Sequence, residues 1–236
     1  MNLDSLHLVL PKAPGLLADR LREMILKGQY SSGDMLPTER DLVIESGLSR
    51  GSVREALKIL ETEGLIEIRT GRSGGARVTT PKRDSLARTV EVFMRANAIK
   101  LDDMLDCRLA TEPMLARLAA RRRTAEELET IKTLHAQFST SVDDLPLYRS
   151  INFKWHLAVA RASRNEPLIA LMEAIATPVL EATGYENYTT SRTRREAVKA
   201  HAAIVKAIQE QDEEGAAAAM QAHLSAYTKT REKRVS

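Results

Sequence analysis

The chain has 236 residues, of which 43% are hydrophobic and only 4% are aromatic, so it can form one large core or two smaller ones. Its single cysteine, Cys107, excludes an intramolecular disulfide and makes a cysteine-based zinc site implausible. The 35 basic and 32 acidic residues leave a net charge of +3, which matters only where the basic residues cluster.

The amino-terminal segment MNLDSLHLVLPKAPG has no basic region followed by a long apolar stretch, so no signal peptide is predicted. The chain also has no run of 18 consecutive apolar residues, which argues against a membrane span. We therefore expect a cytoplasmic protein that does not contact a membrane.

The first eighty residues predict three helices and a hairpin. Helices are expected at about 15–27, 39–46 and 50–63, and strands at 65–69 and 76–80. Thr38 and Ser49 are suited to cap the second and third helices, and Gly47 separates them. The segment TGRSGG forms the tip of the hairpin. Two short helices joined at a glycine and followed by a hairpin predict a winged helix-turn-helix.

The third helix has the pattern of a helix that enters the major groove of DNA. Its apolar residues Val53, Ala56, Leu57 and Leu60 form one stripe. The opposite face then carries Ser49, Arg50, Ser52 and Arg54. Arginine bonds both acceptors on a guanine edge, and short hydroxyl side chains suit phosphates.

After Pro81 the pattern is helical throughout. Helices are expected at about 84–97, 101–122, 125–141, 145–163, 165–184, 191–210 and 212–231, with kinks at Pro113 and Pro178. The predicted fold is therefore mainly α. The pattern predicts a winged helix-turn-helix DNA-binding domain with a small β-hairpin wing over residues 1–81 and an all-α antiparallel bundle over residues 82–236.

Three histidines of the second half, His156, His201 and His223, lie on three different predicted helices, each beside apolar residues. Asn152 precedes His156 by one helical turn and shares its face. Three imidazoles and an oxygen donor suit zinc, nickel or a related divalent ion. The residues alone equally allow a fortuitous set of ordinary histidines. No role is assigned to His7 and His135, and Trp155 is interpreted as core packing or as a wall of the pocket.

The motifs LPTERDL, SRGSVREAL and EGL resemble the DNA-binding domain of the GntR superfamily of transcription regulators, and the likeness extends from Leu21 to Val78. This resemblance implies DNA contacts through Arg40, Ser49, Arg50, Ser52 and Arg54. It also places Thr70 and Gly71 at a wing tip that reaches the minor groove. Gly51 departs from the side chain often found at its position, which removes one contact.

The segments RLATEPMLARLAARR, INFKWHLAVARASRNEPL, KAHAAIVKAI and MQAHL resemble the FCD effector domain of the FadR subfamily, over about 84–230. The resemblance implies a metal ion held by Asn152, His156, His201 and His223, with asparagine where aspartate is usual. Arg108 and Glu112 match an arginine and a glutamate of the family's first bundle helix. We expect Arg108 to bind an effector carboxylate. The alternative for Arg108 is a surface salt bridge to Asp103 or Glu112.

Together these features predict a homodimeric regulator, most simply a repressor, that binds operator DNA and releases it when a small carboxylate binds beside a divalent metal ion. A metal-independent regulator that senses an acyl-CoA or another ligand is the alternative. A metal-dependent enzyme is a further alternative, but it leaves the DNA-binding motifs unexplained and no general base is well placed near His156. A constitutive architectural DNA-binding protein is another, and it would show no effector dependence and little sequence preference.

Overall fold

A computed structural model describes residues 13–69, 71, 74–181 and 190–235, without the side chains of Ala176 and residues 227–235. The chain divides into two compact units, Met1–Ser85 and Leu86–Ser236. The division falls inside one helix, four residues beyond the boundary at 81 that the sequence predicts.

Within its described residues, the first unit contains three complete helices and one hairpin. The elements are α1 (Ala13–Leu26), α2 (Glu39–Ser46), α3 (Arg50–Thr62), β1 (Ile66–Arg69) and β2 (Gly75–Val78). The two strands are antiparallel, with Ile66 opposite Val78 and Arg69 opposite Gly75. This order confirms the predicted helical unit with a hairpin after the third helix.

The turn between α2 and α3 is fixed by local hydrogen bonds. Thr38 and Asp41 form a capping box, in which the Asp41 amide donates to the Thr38 hydroxyl at 3.2 Å. Gly47 ends α2 at a φ of +68°, a conformation that glycine adopts without strain. The Ser49 hydroxyl then accepts a bond from the Ser52 amide at 3.2 Å, which starts α3. The sequence predicted both caps and the glycine break.

The core of the first unit forms beneath α3. Val53, Ala56, Leu57 and Leu60 are all buried, as their spacing predicts. They belong to one apolar cluster with residues of α1, the strands and the loops. Because this stripe faces the core, the other side of α3 faces solvent.

The second unit consists of helices in the part of the chain that the structure describes. They are α4 (Arg83–Ala96), α5 (Leu101–Arg122), α6 (Ala125–Thr140), α7 (Leu145–Ala162), α8 (Glu166–Glu181), α9 (Ser191–Gln209) and α10 (Glu213–Val235). The predicted bounds agree within a few residues. Helix α10 continues four residues past the predicted 231, and α5 and α8 continue through Pro113 and Pro178.

Helix α5 occupies the middle of this unit, where it contacts α7, α8, α9 and α10. The largest cluster of buried side chains includes Trp155, Ile131, Ile204 and Met220, all 0% exposed. This packing brings the inner faces of α7, α9 and α10 together, and these are the helices that carry the three histidines. None of the described helices is long and apolar enough to cross a membrane.

Candidate metal centre and DNA-binding surface

The three predicted histidines meet in the interior of the second unit. His156 lies on α7, His201 on α9 and His223 on α10, and one ring nitrogen of each lies within 4.8 Å of the other two. The Nε2 atoms of His201 and His223 are 3.2 Å apart. Ligand nitrogens around a tetrahedral zinc ion are about 3.4 Å apart, so small side-chain movements would complete such a geometry.

Buried polar atoms around this cluster support a ligand there. Among the residues that the structure describes, no hydrogen-bonding partner meets His156 Nε2 or Asn152 Oδ1, although both atoms are buried. A buried polar atom without a partner costs about 1–3 kcal/mol, and a ligand bound at these two atoms would remove that cost. The residues therefore fit a divalent metal ion, with Asn152 beside His156 as a neutral oxygen donor.

Aromatic rings hold the histidines in place. The His201 ring is stacked between Trp155 and Phe138, with centroids 3.8 and 4.5 Å away and planes tilted by 19° in each case. The His156 and His223 rings are also stacked, with centroids 5.4 Å apart. Such packing restricts the rotation of each imidazole, and pre-orientation of this kind lowers the entropic cost of binding an ion.

The environment keeps the histidines neutral. Burial is the largest cause that lowers the pKa of His201 well below 6.5, and the nearby His223 and His156 lower it further. Burial likewise lowers the pKa values of His156 and His223. Neutral imidazole is the form that binds metals, so the cluster is chemically ready to do so near neutral pH.

Glu112 connects Arg108 to the histidine cluster. One carboxylate oxygen accepts a hydrogen bond from Arg108 Nε at 2.5 Å, and the other lies 2.5 Å from His156 Nδ1. Arg108 and Glu112 are 6% and 2% exposed. Burial by itself would raise the pKa of the Glu112 carboxyl, but the charge of Arg108 and the hydrogen bonds from Arg108 and His156 outweigh it and hold this pKa at about 2.

The alternative of a surface ion pair between Arg108 and Glu112 is thus wrong about the surface position. The pair with Glu112 exists, but it is buried. Arg108 also lines a small cavity of about 20 Å³, which is room for about one water molecule. The other residues around this cavity are Arg149, Asn152, Phe153, Val179 and Leu180. A contact between Arg108 and an effector stays a prediction.

Sequence reasoning assigned no role to His135, yet its ring centroid lies 6.4 Å from that of His201. His135 precedes Phe138 by one turn of α6, and Phe138 stacks on His201. The pairing of Glu112 with His156 was also missed, because these residues are 44 positions apart in the chain. His7 lies outside the described residues.

Most of the predicted DNA-binding residues that the structure describes are exposed. Arg40, Ser49, Arg50 and Arg54 are exposed, and Ser52 is partly buried beneath its bond to the Ser49 hydroxyl. Arg54 Nε donates to the Glu39 carboxylate at 2.9 Å, which ties α3 to α2. Gly71 is exposed with a φ of +114°, and Thr70 lies outside the described residues. Their contacts with DNA stay predictions.

Comparison with known proteins agrees with both units. Residues 16–75 match the gntR family of bacterial regulatory proteins, and residues 103–226 match the FCD domain. The chain is 31% identical over 216 residues to a putative L-lactate dehydrogenase operon regulatory protein of Escherichia coli (strain K12), which covers 89% of this chain and 82% of that protein.

A second relative is the HTH-type transcriptional repressor NanR of Enterobacter sp. (strain 638), 29% identical over 231 residues, with 93% of this chain and 85% of that protein covered. Among solved structures, a Streptococcus agalactiae GntR protein aligns with a TM-score of 0.66 and 25% identity, over 93% of this chain and 99% of that one. The chain therefore belongs to the gntR family of bacterial regulatory proteins with an FCD domain, and it is a DNA-binding transcription regulator, not an enzyme.

Proposed function

We propose that this regulator is a homodimeric repressor that holds one divalent metal ion in its FCD domain and releases its operator when a small carboxylate binds beside that ion. Repression is supported by the names of the NanR relatives. The observation that carries the metal proposal is the group of three imidazoles whose ring nitrogens lie within 4.8 Å of one another, two of them buried and His223 partly buried, with His156 Nε2 meeting no partner within the described residues.

In the proposed site His156, His201 and His223 hold the ion through ring nitrogens, and Asn152 Oδ1 adds an oxygen. A zinc or nickel ion bound there supplies open coordination positions for an oxygen of the effector. All four groups are neutral, so the bound ion keeps its positive charge largely uncompensated by its ligands. This charge favours an anionic effector.

Arg108 is the proposed partner of the effector carboxylate. Its guanidinium is held by Glu112 through Nε and lines the cavity that Asn152 also lines. A guanidinium binds a carboxylate through two parallel hydrogen bonds, which gives both orientation and affinity. Because the cavity is only about 20 Å³, an effector must displace its walls, and this displacement is the proposed origin of the conformational signal.

The proposed DNA interface is the exposed face of α3 with Arg40, Ser49, Arg50, Ser52 and Arg54, together with the wing tip at Thr70 and Gly71. In a homodimer two such helices would read two half-sites one turn of DNA apart. Helix α4 supports association, because it has no buried residue and exposes Leu86, Val92 and Phe93 at 47%, 61% and 59%. Light scattering of the purified protein tests the dimer directly.

The experiment that tests the metal proposal is elemental mass spectrometry of the purified protein and of a His156→Ala/His201→Ala variant. About one divalent ion per chain, absent from the variant, is the expected result. The operator is first identified by selecting bound duplexes from a pool of random DNA sequences. A wild-type protein that contains no metal and still binds this operator would contradict the metal site, while its role as a DNA-binding regulator would stand. The matched control is His135→Ala, which should keep the ion.

A further inference from the structure

The proposed metal ligands need a group that orients their rings, and Glu112 is suited to that task. Its two carboxylate oxygens have separate partners, Arg108 Nε on one side and His156 Nδ1 on the other, each at 2.5 Å. All three side chains are buried: those of Arg108 and Glu112 are 7% and 2% exposed, and that of His156 is 1% exposed. The arrangement is therefore shielded from competing water.

The chemistry of these partners fixes the hydrogen of the imidazole. A carboxylate paired with a guanidinium is ionised and can only accept hydrogen bonds. Nδ1 of His156 must then carry the hydrogen and donate it, which leaves the lone pair on Nε2. That Nε2 atom is the buried one that meets no partner within the described part of the chain.

From this juxtaposition we infer that Glu112 is a positioning residue of the metal site, which holds His156 as the Nδ1–H tautomer with Nε2 presented to the ion. The inference rests on the proposed metal function. Carboxylates that accept the second nitrogen of a metal-bound histidine orient its ring and make it a stronger ligand. The effect matters here because the four proposed ligands are neutral, so the Glu112 carboxylate supplies negative charge one hydrogen bond away from the ion.

The same residue links the two proposed partners of the site. Arg108, the proposed effector contact, and His156, the proposed metal ligand, share one carboxylate. A change in the Arg108–Glu112 bond on effector binding would alter the bond from His156 to Glu112. Metal affinity and effector affinity would then depend on each other, as binding linkage requires.

The test begins with the tautomer of His156 in metal-free wild-type protein, measured from ¹⁵N chemical shifts of labelled histidine and assigned with His156→Gln. We expect a protonated Nδ1 and a bare Nε2. A hydrogen on Nε2, alone or together with one on Nδ1, would overturn the inference. This measurement needs no variant of Glu112, so it decides the matter even if such variants do not fold.

The second measurement is the Zn²⁺ affinity of Glu112→Gln, determined by competition with a chromophoric chelator. Loss of the carboxylate is expected to weaken Zn²⁺ binding about 10–100-fold. The matched control is Glu127→Gln, which removes the same charge from α6, where Glu127 caps the helix through Thr124. Equal affinity of folded Glu112→Gln and wild type would overturn the role of Glu112.

These outcomes separate the inference from the metal proposal. If the wild-type protein binds no divalent ion but His156 is the Nδ1–H tautomer, the metal proposal fails and the positioning contact stands. If the ion binds with full affinity to folded Glu112→Gln, the metal site stands and the positioning role fails.

Discussion

The indole of Trp155 lies flat against the imidazole of His201, with ring centroids 3.8 Å apart and planes tilted by 19°. Trp155 is the only tryptophan of the chain and is 0% exposed. Its emission therefore comes from a single environment, in contact with one of the proposed metal ligands.

The first prediction is that Ni²⁺ quenches the fluorescence of Trp155 as it binds. A paramagnetic ion bound to His201 would lie one ring away from the indole, so quenching should saturate at about one ion per chain. Titration of the metal-free protein, followed by emission, measures this. Trp155→Phe should lose the signal and keep the ion. Uptake of one ion by mass spectrometry with unchanged emission would contradict the proposed geometry.

The features that the sequence predicted well are those that local structure decides. Thr38, Gly47 and Ser49 form the turn of the first unit because capping needs only neighbouring residues. Asn152 and His156 share a face because the helical period requires it. The helical spacing allows His156, His201 and His223 to face one interior, but their meeting depends on how three helices pack, so the family resemblance was needed to predict it.

Other contacts could not be predicted because they depend on the packing of the bundle. One alternative for Arg108 is a salt bridge at the surface. Helix α5 instead lies against four other helices, and this packing buries Arg108 together with Glu112. His135 was assigned no role because the orientation of α6 toward α9 is not visible in a helical period. The sequence signal for the buried Arg108–Glu112 pair was an arginine and a glutamate one helical turn apart on an otherwise apolar face.

The second prediction concerns the pH dependence of the metal-free protein. Burial lowers the pKa values of His156 and His201, so below about pH 6.5 the unfolded chain binds protons that the folded chain does not. Stability must therefore fall as the pH falls. Each histidine removes at most about 1.4 kcal/mol of the free energy of unfolding per pH unit.

Urea unfolding in the presence of a chelator measures this dependence. The pH is varied between roughly 7.5 and 5, a range that includes the ordinary pKa of histidine. His201→Leu removes one titrating group and should show a shallower loss. Glu112 adds to the loss only in stronger acid, because its folded pKa of about 2 lies below the usual 4.5. If the free energy of unfolding changes with pH equally steeply in wild type and His201→Leu, the folded protein does not lower the pKa of His201.

The third prediction is that Glu39 limits and directs the binding of DNA by Arg54. The two side chains are bonded at 2.9 Å and are 44% and 72% exposed, so their ion pair itself adds little stability. Glu39→Gln removes a negative charge from the proposed DNA-binding surface and frees Arg54 to rotate. We expect affinity for random DNA to rise and preference for the operator over single-base variants to fall.

Fluorescence anisotropy with operator and random duplexes, at several salt concentrations, measures both quantities. Arg54→Ala should cost about 1–3 kcal/mol on the operator if Arg54 reads a base. Glu45→Gln is the control, because it removes the same charge from α2 without the bond to Arg54. If both variants gain the same affinity for random DNA and keep the same preference for the operator, Glu39 acts only through its charge and not through its bond to Arg54.

The fourth prediction is strong coupling between Arg108 and Glu112. Arg108→Met leaves the Glu112 carboxylate buried without that guanidinium, which should lower the free energy of unfolding by about 3–5 kcal/mol. The double variant Arg108→Met/Glu112→Gln has no buried charge left at these positions. It should therefore be destabilised by less than the sum of the single variants, with a coupling energy of about 1–3 kcal/mol.

Urea unfolding of the four proteins gives this coupling, and the pair Arg161 and Glu173 gives the comparison. That pair is bonded at 2.9 Å, but its arginine is 59% exposed, so coupling of less than about 1 kcal/mol is expected. Strong coupling at Arg108 alone would mean that Glu112 holds the guanidinium rigidly before any effector arrives. Additive effects at Arg108 and Glu112 would mean that the guanidinium is held by other contacts, and an effector carboxylate could then bind Arg108 without disturbing His156.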